Sequence, residues 1–293
     1  MCIRDRKVAL RVVYEMNALF EPSESVERNL LWCLHGLPGT GKSHVLHVLS
    51  KELFQNVLGW EMGLEFQIVA LQAVMAAQLD GDTIHPALGI HPMQTTQDSS
   101  KDTVKQQAVA KTIMQWRWLI IDEISMVSAR LLAEIDAKLR DVVRRIGTLK
   151  AQQTGLDRAF GGINVVVAGD FWQLDPPDGG FLVAIPVDFI KRACKFAPAG
   201  TVAHGQSIFW DNGPMCVQGV TELTEVVRCK DPWLREVQDE MRDGNLSENN
   251  YNFLHGLPTT VPGSALRGVA TCGNAKCGQT SAAKKRSGDG MHL

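Results

Sequence analysis

Gly36-Leu37-Pro38-Gly39-Thr40-Gly41-Lys42-Ser43 is the stretch of sequence that decides the fold of this chain. It matches G-x-x-x-x-G-K-[ST] at every fixed position, the pattern of a loop that cradles the phosphates of a nucleoside triphosphate. The glycines let backbone N–H groups turn toward the phosphates, Lys42 supplies a positive charge, and the Ser43 hydroxyl is a ligand for Mg²⁺. A chance glycine turn is the alternative interpretation.

The sequence on both sides of this loop favours the phosphate-binding interpretation. Residues 30–34 form a short apolar run that predicts a buried strand, and residues 43–53 carry apolar side chains at helical spacing. A strand, a glycine loop and the start of a helix together make an anion site. The residues predicted to bind the nucleotide are Gly36, Pro38, Gly39, Thr40, Gly41, Lys42 and Ser43.

A second signal is Trp118-Leu119-Ile120-Ile121-Asp122-Glu123, an apolar strand that ends in two adjacent carboxylates. In a protein with a phosphate loop, such a strand brings Asp122 to Mg²⁺, directly or through water, and Glu123 to the water that attacks the γ-phosphate. A strand that simply ends in solvated acids is the alternative. The pairing with the phosphate loop favours the catalytic interpretation.

A third β-branched run, 163–169, is followed by Asp170-Phe171-Trp172-Gln173-Leu174. Because the carboxyl ends of parallel strands face the ligand, Gln173 is predicted to hydrogen-bond the γ-phosphate or the attacking water. A surface glutamine is the alternative. Helical patterns alternate with these strands, and one of them begins at a capping Ser128 and is predicted to end at Gly147. The sequence therefore predicts an α/β fold, a P-loop NTPase with a parallel sheet and helices on both faces.

Composition and charge narrow the function classes. The net charge of −2 and the pI near 6.4 provide no bulk attraction to nucleic acid, so any such binding requires a local groove. Seven scattered cysteines, an odd number, indicate a reduced, intracellular protein. No run approaches the roughly 18 apolar residues of a membrane span, and no signal peptide is evident, so we expect no membrane partner.

The two ends of the chain are not predicted to belong to the α/β fold. Residues 1–6 resemble translated adapter sequence, and residues 7–20 allow a leader helix. Past Leu257 the composition shifts to Gly, Pro, Thr, Ser and Ala, which predicts a linker or disordered tail over 258–293. Cys272 and Cys277 within it are either half of a zinc site or, as we favour, unpaired structural cysteines.

Several stretches together resemble the Pif (petite integration frequency) helicases of superfamily one, over roughly residues 8–244. The matching pieces are 36–43, Gly81-Asp82-Thr83-Ile84-His85, Ile120-Ile121-Asp122-Glu123-Ile124-Ser125-Met126, Gly169-Asp170-Phe171-Trp172-Gln173-Leu174, Leu223-Thr224-Glu225-Val226-Val227-Arg228 and Arg242-Asp243-Gly244. Their order and spacing are more specific than the phosphate loop alone.

The resemblance implies an ATP-driven motor that moves 5′ to 3′ on single-stranded DNA and unwinds duplexes in DNA repair, recombination and telomere maintenance. It implies ATP as substrate, Mg²⁺ as cofactor and single-stranded and duplex DNA as partners, with the nucleus as compartment and the mitochondrion as alternative. We expect a monomer, but the sequence does not determine the oligomeric state. By the same resemblance Gln173 is the coupling glutamine, and Arg228 reaches the γ-phosphate from a second RecA-like domain. Thr83 and His85 lie near the DNA strand.

The resemblance also divides the chain into a first RecA-like domain at 7–215 and the start of a truncated second one at 216–257, which makes the chain a fragment. Two departures stand out: Ala73-Val74 replaces the family's Thr-Gly pair in a DNA-contacting segment, and no Gln precedes Phe20 to read adenine. Two other functions stay open. One is a phosphate-loop ATPase that acts on RNA or protein, and the other is a non-enzymatic nucleotide- or nucleic-acid-binding module, if the chain ends at Leu293.

Overall fold

Continuous apolar runs become the strands of a parallel sheet that is covered on both faces. The computed structural model describes residues 29–90, 101–144, 152–153, 156–182, 199–210, 216–229, 231–257 and 259–260. Its chain divides into two units, Met1–Arg228 and Cys229–Leu293. The predictions for the leader at 1–20, for Gly147 and for Cys272 and Cys277 lie outside the described residues.

The first unit is built on a six-stranded sheet. Its strands lie in the order β3-β2-β4-β7-β1-β8, and every neighbouring pair is parallel. Two short strands, β5 and β6, form a separate antiparallel pair. The strands are β1 (Leu31–Gly36), β2 (Phe66–Ala70), β3 (Asp82–Thr83), β4 (Trp118–Asp122), β5 (Gln152–Gln153), β6 (Leu156–Asp157), β7 (Asn164–Gly169) and β8 (Gly219–Leu223).

Helices connect these strands. Ser128 caps the longest of them, because its Oγ accepts a hydrogen bond from the Leu131 N–H at 3.1 Å, as predicted. The helix after the phosphate loop widens into a π-helix at Val48–Val57, which its sequence periodicity did not indicate. The helices are α1 (Lys42–His47), α2 (Ala73–Gln78), α3 (Ile84–Leu88), α4 (Lys101–Ile113), α5 (Ala129–Arg144) and α6 (Ala199–Trp210), with 3₁₀ turns at Ile124–Met126 and Ala159–Gly162.

Two hydrophobic cores lie on opposite faces of the sheet, as the period of two along a strand requires. In β4, Leu119 and Ile121 belong to the core that includes α5, whereas Trp118 and Ile120 belong to the core beneath α1. The predicted α/β fold with helices on both faces is therefore confirmed.

The strand β8 belongs to the first unit. It pairs in parallel with β1, from Trp32 opposite Gly219 to Gly36 opposite Leu223. A Cβ atom at Gly219 would lie 2.5 Å from the Trp32 ring, so the strand approaches β1 closely because this residue is glycine. The chain divides after Arg228, downstream of the boundary predicted at 216.

The second unit contains α7 (Pro232–Arg242) and α8 (Glu248–Leu254). Asp231 caps α7 by accepting a hydrogen bond from the Trp233 N–H at 2.9 Å, and Gly244 follows in a left-handed conformation, φ +68°. Its assignment to a second RecA-like domain remains a prediction. Among the described residues, no helix is both long enough and apolar enough to cross a membrane.

Candidate active site

The phosphate loop joins β1 to α1 through a backbone that only glycine adopts easily. Gly39 and Gly41 have φ values of +76° and +94°. A Cβ atom at Gly36 would lie 2.7 Å from Thr40 Oγ1, which donates a hydrogen bond to the Leu37 carbonyl at 2.8 Å. The loop is therefore held tightly by its own polar groups.

Lys42 lies buried at the base of this loop. Its Nζ donates hydrogen bonds to the Gly36 carbonyl at 2.7 Å and the Leu37 carbonyl at 3.2 Å. Ser43 follows in the first turn of α1 and is half-buried, whereas Pro38 is exposed at the crest of the loop. The predicted nucleotide-binding residues thus form one continuous structure at the carboxyl end of β1.

Asp122 is the buried last residue of β4. Burial raises the pKa of its carboxyl group from 3.8 to about 6. The backbone N–H of Glu123, at 3.0 Å from Asp122 Oδ1, and the charge of Lys42 both act to lower this pKa. The predicted metal ligand and the phosphate-binding lysine therefore influence each other electrostatically, as residues of one site do.

Glu123 has a backbone conformation that is rare for a residue with a side chain. Its φ and ψ are both +52°, in the left-handed region, immediately before a 3₁₀ turn. A non-glycine residue in this region stores roughly 1–3 kcal/mol of strain, and such residues cluster at active sites. This observation supports the predicted catalytic role of Glu123.

The strand β7 lies between β1 and β4 in the sheet, so its carboxyl end lies between the phosphate loop and the acidic pair. The end of β7 approaches the turn after β4 closely because residue 169 is glycine. A Cβ atom there would lie only 2.9 Å from the Ile124 nitrogen. Gln173 follows in a turn, where its backbone N–H donates to the Asp170 carbonyl at 3.0 Å. Its side chain is half-buried.

Two residues near the phosphate loop, Asp170 and His35, were not predicted from the sequence to have a role in the site. Asp170 is completely buried, and its Oδ1 accepts a hydrogen bond from the Trp172 N–H at 3.1 Å. His35, next to Gly36, places Nε2 at 3.7 Å from that oxygen and stacks on Phe171. An acid directly after a β-branched run is the signal that indicates Asp170, whereas nothing local indicates His35.

Arg228 lies beside the phosphate loop in the first unit. The backbone N–H groups of Val227 and Arg228 donate to the Gly39 carbonyl at 2.9 and 3.1 Å. A Cβ atom at Gly39 would lie 2.8 Å from the Arg228 Cβ. Backbone pairing thus groups Arg228 with the first unit, and its assignment to the start of a second RecA-like domain remains a prediction.

The predicted DNA-contacting residues lie elsewhere. Thr83 ends the edge strand β3 and His85 lies in α3, separated from β1 by three strands. Part of their motif is structural. A Cβ atom at Gly81 would lie 2.5 Å from the Ile68 carbonyl oxygen, and Asp82 accepts a hydrogen bond from Gln67 at 2.9 Å. A DNA contact by Thr83 and His85 remains a prediction.

Within the described residues no group of three or more His, Cys, Asp or Glu side chains is arranged to hold a metal ion. Mg²⁺ does not require such a group, since proteins usually bind it through one or two carboxylates together with substrate phosphates and water. A single buried carboxylate, Asp122, with the hydroxyl of Ser43 fits that donor set.

Comparisons with known proteins agree on one family. A family model described as PIF1-like helicase matches residues 16–179. The chain is 31% identical over 215 residues to the ATP-dependent DNA helicase RRM3 of Saccharomyces cerevisiae, covering 72% of this chain and 25% of that protein. Against the ATP-dependent DNA helicase PIF1 of Homo sapiens the identity is 26%, over 69% of this chain and 28% of that protein.

The solved structures show the same fold. The crystal structure of Pif1 helicase from Candida albicans matches with a TM-score of 0.59 and 22% identity, covering 90% of this chain and 49% of that one. A Bacteroides Pif1 crystallised with ADP-AlF3 and single-stranded DNA matches with a TM-score of 0.51 and 21% identity, over 86% of this chain and 48% of that one. The chain spans about a quarter of the length of its curated relatives.

Proposed function

This chain belongs to the PIF1-like helicase family, and from that premise we propose that it carries the nucleotide-binding part of an ATP-dependent DNA helicase. The helicase couples ATP hydrolysis to movement 5′ to 3′ along single-stranded DNA and to duplex unwinding. The observation that carries the proposal is the order of three neighbouring strands. The phosphate loop follows β1, Gln173 follows β7 and the acidic pair ends β4, all at one edge of the sheet.

The phosphate loop binds ATP, with Lys42 facing the β and γ phosphates. Ser43 and Asp122 would hold Mg²⁺, which supplies neutralisation of the charge on the phosphate oxygens when bound. Burial disfavours the ionised form of Asp122, so a cation beside it would compensate for water that the carboxylate has lost.

Three residues carry the chemical step. Glu123 orients the attacking water and accepts its proton, and Gln173 senses the γ-phosphate or this water. Arg228 stabilises negative charge on the phosphoryl group in the transition state. The backbone attachment of Arg228 to Gly39 keeps the start of its side chain beside the loop, which supports this role.

The proposed partners are single-stranded and duplex DNA, with Thr83 and His85 as contact residues at the far edge of the sheet. DNA repair, recombination and telomere maintenance are the proposed processes, in the nucleus or alternatively in the mitochondrion. The free, buried thiol of Cys33, whose pKa burial raises to about 12, fits a reduced compartment.

Substitution of Lys42 tests the site assignment. In the full-length protein we expect Lys42→Ala to abolish ATP turnover, because the loop then lacks its charge toward the phosphates. Turnover is measured with and without single-stranded DNA, and retained turnover refutes the assignment. Unwinding of a partial duplex with a 5′ single-stranded tail, compared with a 3′ tail and with RNA, tests the motor. A turnover stimulated by RNA and not by DNA would favour the RNA-directed ATPase.

Substitution of Arg228 tests its role. Arg228→Ala is expected to lower kcat by about a thousandfold with little change in ATP binding, because the guanidinium acts on the transition state. Weaker ATP binding at an unchanged kcat would assign Arg228 to ground-state binding instead. Exposed Arg117, immediately before β4, provides the matched arginine-to-alanine control for general loss of charge.

A further inference from the structure

A completely buried carboxylate, that of Asp170, directly follows β7, the strand between β1 and β4. Asp170 Oδ1 accepts a hydrogen bond from the Trp172 N–H at 3.1 Å, and Oδ2 accepts one from Gln173 Nε2 at 3.4 Å. An ionised group without access to water is costly unless donors and opposite charges compensate for it. The turn after β7 is therefore organised around Asp170.

The chemistry of Asp170 determines which way the Gln173 amide faces. An ionised carboxylate accepts hydrogen bonds and donates none, so Gln173 must turn its NH₂ group toward Asp170. The amide oxygen of Gln173 then faces away from the carboxylate as an acceptor. Water can donate to such an oxygen, whereas the oxygens of a fully ionised phosphate cannot.

His35 supports this arrangement from β1. Its side chain is 18% exposed, with Nε2 at 3.7 Å from Asp170 Oδ1 and Nδ1 at 3.9 Å from Glu222 Oε1. Its ring lies 5.8 Å from that of Phe171 at an angle of 14°. His35, which immediately precedes the phosphate loop, thus contacts Phe171 and faces Asp170.

We propose that Asp170, supported by His35, is a positioning residue that orients the Gln173 amide so that its oxygen accepts a hydrogen bond from the attacking water. The functional part of this inference rests on the proposed ATPase. The structural part, the dependence of the Gln173 amide on Asp170, does not.

The structural part is tested by NMR on the 293-residue chain labelled with [¹⁵N]glutamine. The side-chain amide signal of Gln173 is identified by its loss in Gln173→Ala. We expect Asp170→Asn and, to a lesser extent, His35→Gln to move this signal toward that of an exposed amide. Glu222→Gln is the matched control, because it removes the other carboxylate facing His35 and is expected to leave the signal unchanged. An unchanged signal in Asp170→Asn overturns the proposal.

An exchange of donor and acceptor provides a second test if Asp170→Asn alone folds poorly. Gln173→Glu places two carboxylates against each other and is expected to lower the unfolding temperature. In the double variant Asp170→Asn with Gln173→Glu, the asparagine side chain can donate a hydrogen bond to the new carboxylate and accept one from the Trp172 N–H. The double variant is expected to unfold at a higher temperature than the two single effects together predict. Simple addition of the two effects overturns the contact.

Kinetics in the full-length protein test the functional part. We expect Asp170→Asn to lower kcat roughly tenfold with the affinity for ATP unchanged, because water positioning is impaired and phosphate binding is not. Asp170→Asn combined with Gln173→Ala is expected to be no slower than Gln173→Ala alone. If the reduction in kcat of the double variant equals the product of the two single reductions, Asp170 acts independently of Gln173. If the parent protein hydrolyses no ATP, the proposed function fails, while the NMR signal still decides the positioning.

Discussion

Two neighbouring strands, β4 and β7, each end near a buried aspartate, but the two carboxylates have different surroundings. Asp170 is completely buried, accepts hydrogen bonds from Trp172 and Gln173 and faces His35. Asp122 is 5% exposed, accepts from the Glu123 N–H, and burial raises its pKa to about 6. The same residue type near the carboxyl ends of two neighbouring strands is therefore surrounded by donors in one strand, whereas in the other we propose that it binds a cation.

The backbone that follows each aspartate also differs between the two strands. Beyond β7, Gln173 closes a turn on the Asp170 carbonyl at 3.0 Å. Beyond β4, Glu123 adopts a strained left-handed conformation with φ +52°. Backbone strain is concentrated at the strand end that is proposed to perform the chemistry, and side-chain hydrogen bonds are concentrated at the end that is proposed to position it.

The largest effect is expected at the strained end. Glu123→Gln in the full-length protein should lower kcat by about a thousandfold at nearly unchanged ATP affinity, because the amide cannot accept a proton from water. Glu222→Gln, a glutamate near the end of β8, is the matched control. A kcat that falls less than tenfold in Glu123→Gln would place the catalytic base elsewhere and remove the contrast between the strand ends.

A smaller effect of a different kind is expected at the other end. Asp170→Asn should lower the free energy of unfolding by about 2–3 kcal/mol at neutral pH, because donors arranged for a charged acceptor lose it. Urea denaturation measures this value. Asp175→Asn, an exposed acid in the same loop, should change stability by less than about 0.5 kcal/mol. Equal effects of the two substitutions would show that Asp170 is not a structural acceptor.

The parts of the site that the sequence predicts are those with local signals. The phosphate loop and the Asp122–Glu123 pair each combine a fixed spacing with an adjacent apolar run, and both occur where predicted. Other features depend on contacts between distant segments. The pairing of β8 with β1, the attachment of Arg228 to Gly39 and the approach of His35 to Asp170 leave no period or motif within one window of sequence.

The placement of β8 in the sheet shows the same limit. Residues 219–223, Gly-Val-Thr-Glu-Leu, show no regular alternation of apolar and polar side chains, and their sequence does not reveal which sheet they join. Membership is decided by the register against β1 and by Gly219, whose missing side chain accommodates the Trp32 ring. The sequence does not predict the left-handed backbone conformation of Glu123 either, since neither propensity nor periodicity indicates a strained residue.

The smallest effect has the opposite sign to that of Asp170→Asn. Asp122→Asn should raise the free energy of unfolding of the 293-residue chain without nucleotide by about 1–2 kcal/mol at pH 7.5. The pKa of Asp122 is raised from 3.8 to about 6, so the folded state binds this proton more tightly than the unfolded state. Well below pH 3.8 the carboxyl is protonated in both states, and the substitution has little effect. The gain develops as pH rises from about 4 to 6 and is constant above that range.

Urea denaturation of the parent chain and Asp122→Asn at several pH values measures this difference directly, since titration of all other groups cancels to a first approximation. Adding Mg²⁺ with a non-hydrolysable ATP analogue should reverse the order of stability, because only the parent offers the cation a carboxylate. Asp122→Asn less stable than the parent across the whole range would mean that Asp122, like Asp170, is satisfied by its neighbours. Opposite signs at the two strand ends, by contrast, would show that the number of donors around a buried aspartate separates a structural acceptor from a ligand kept available for a metal ion.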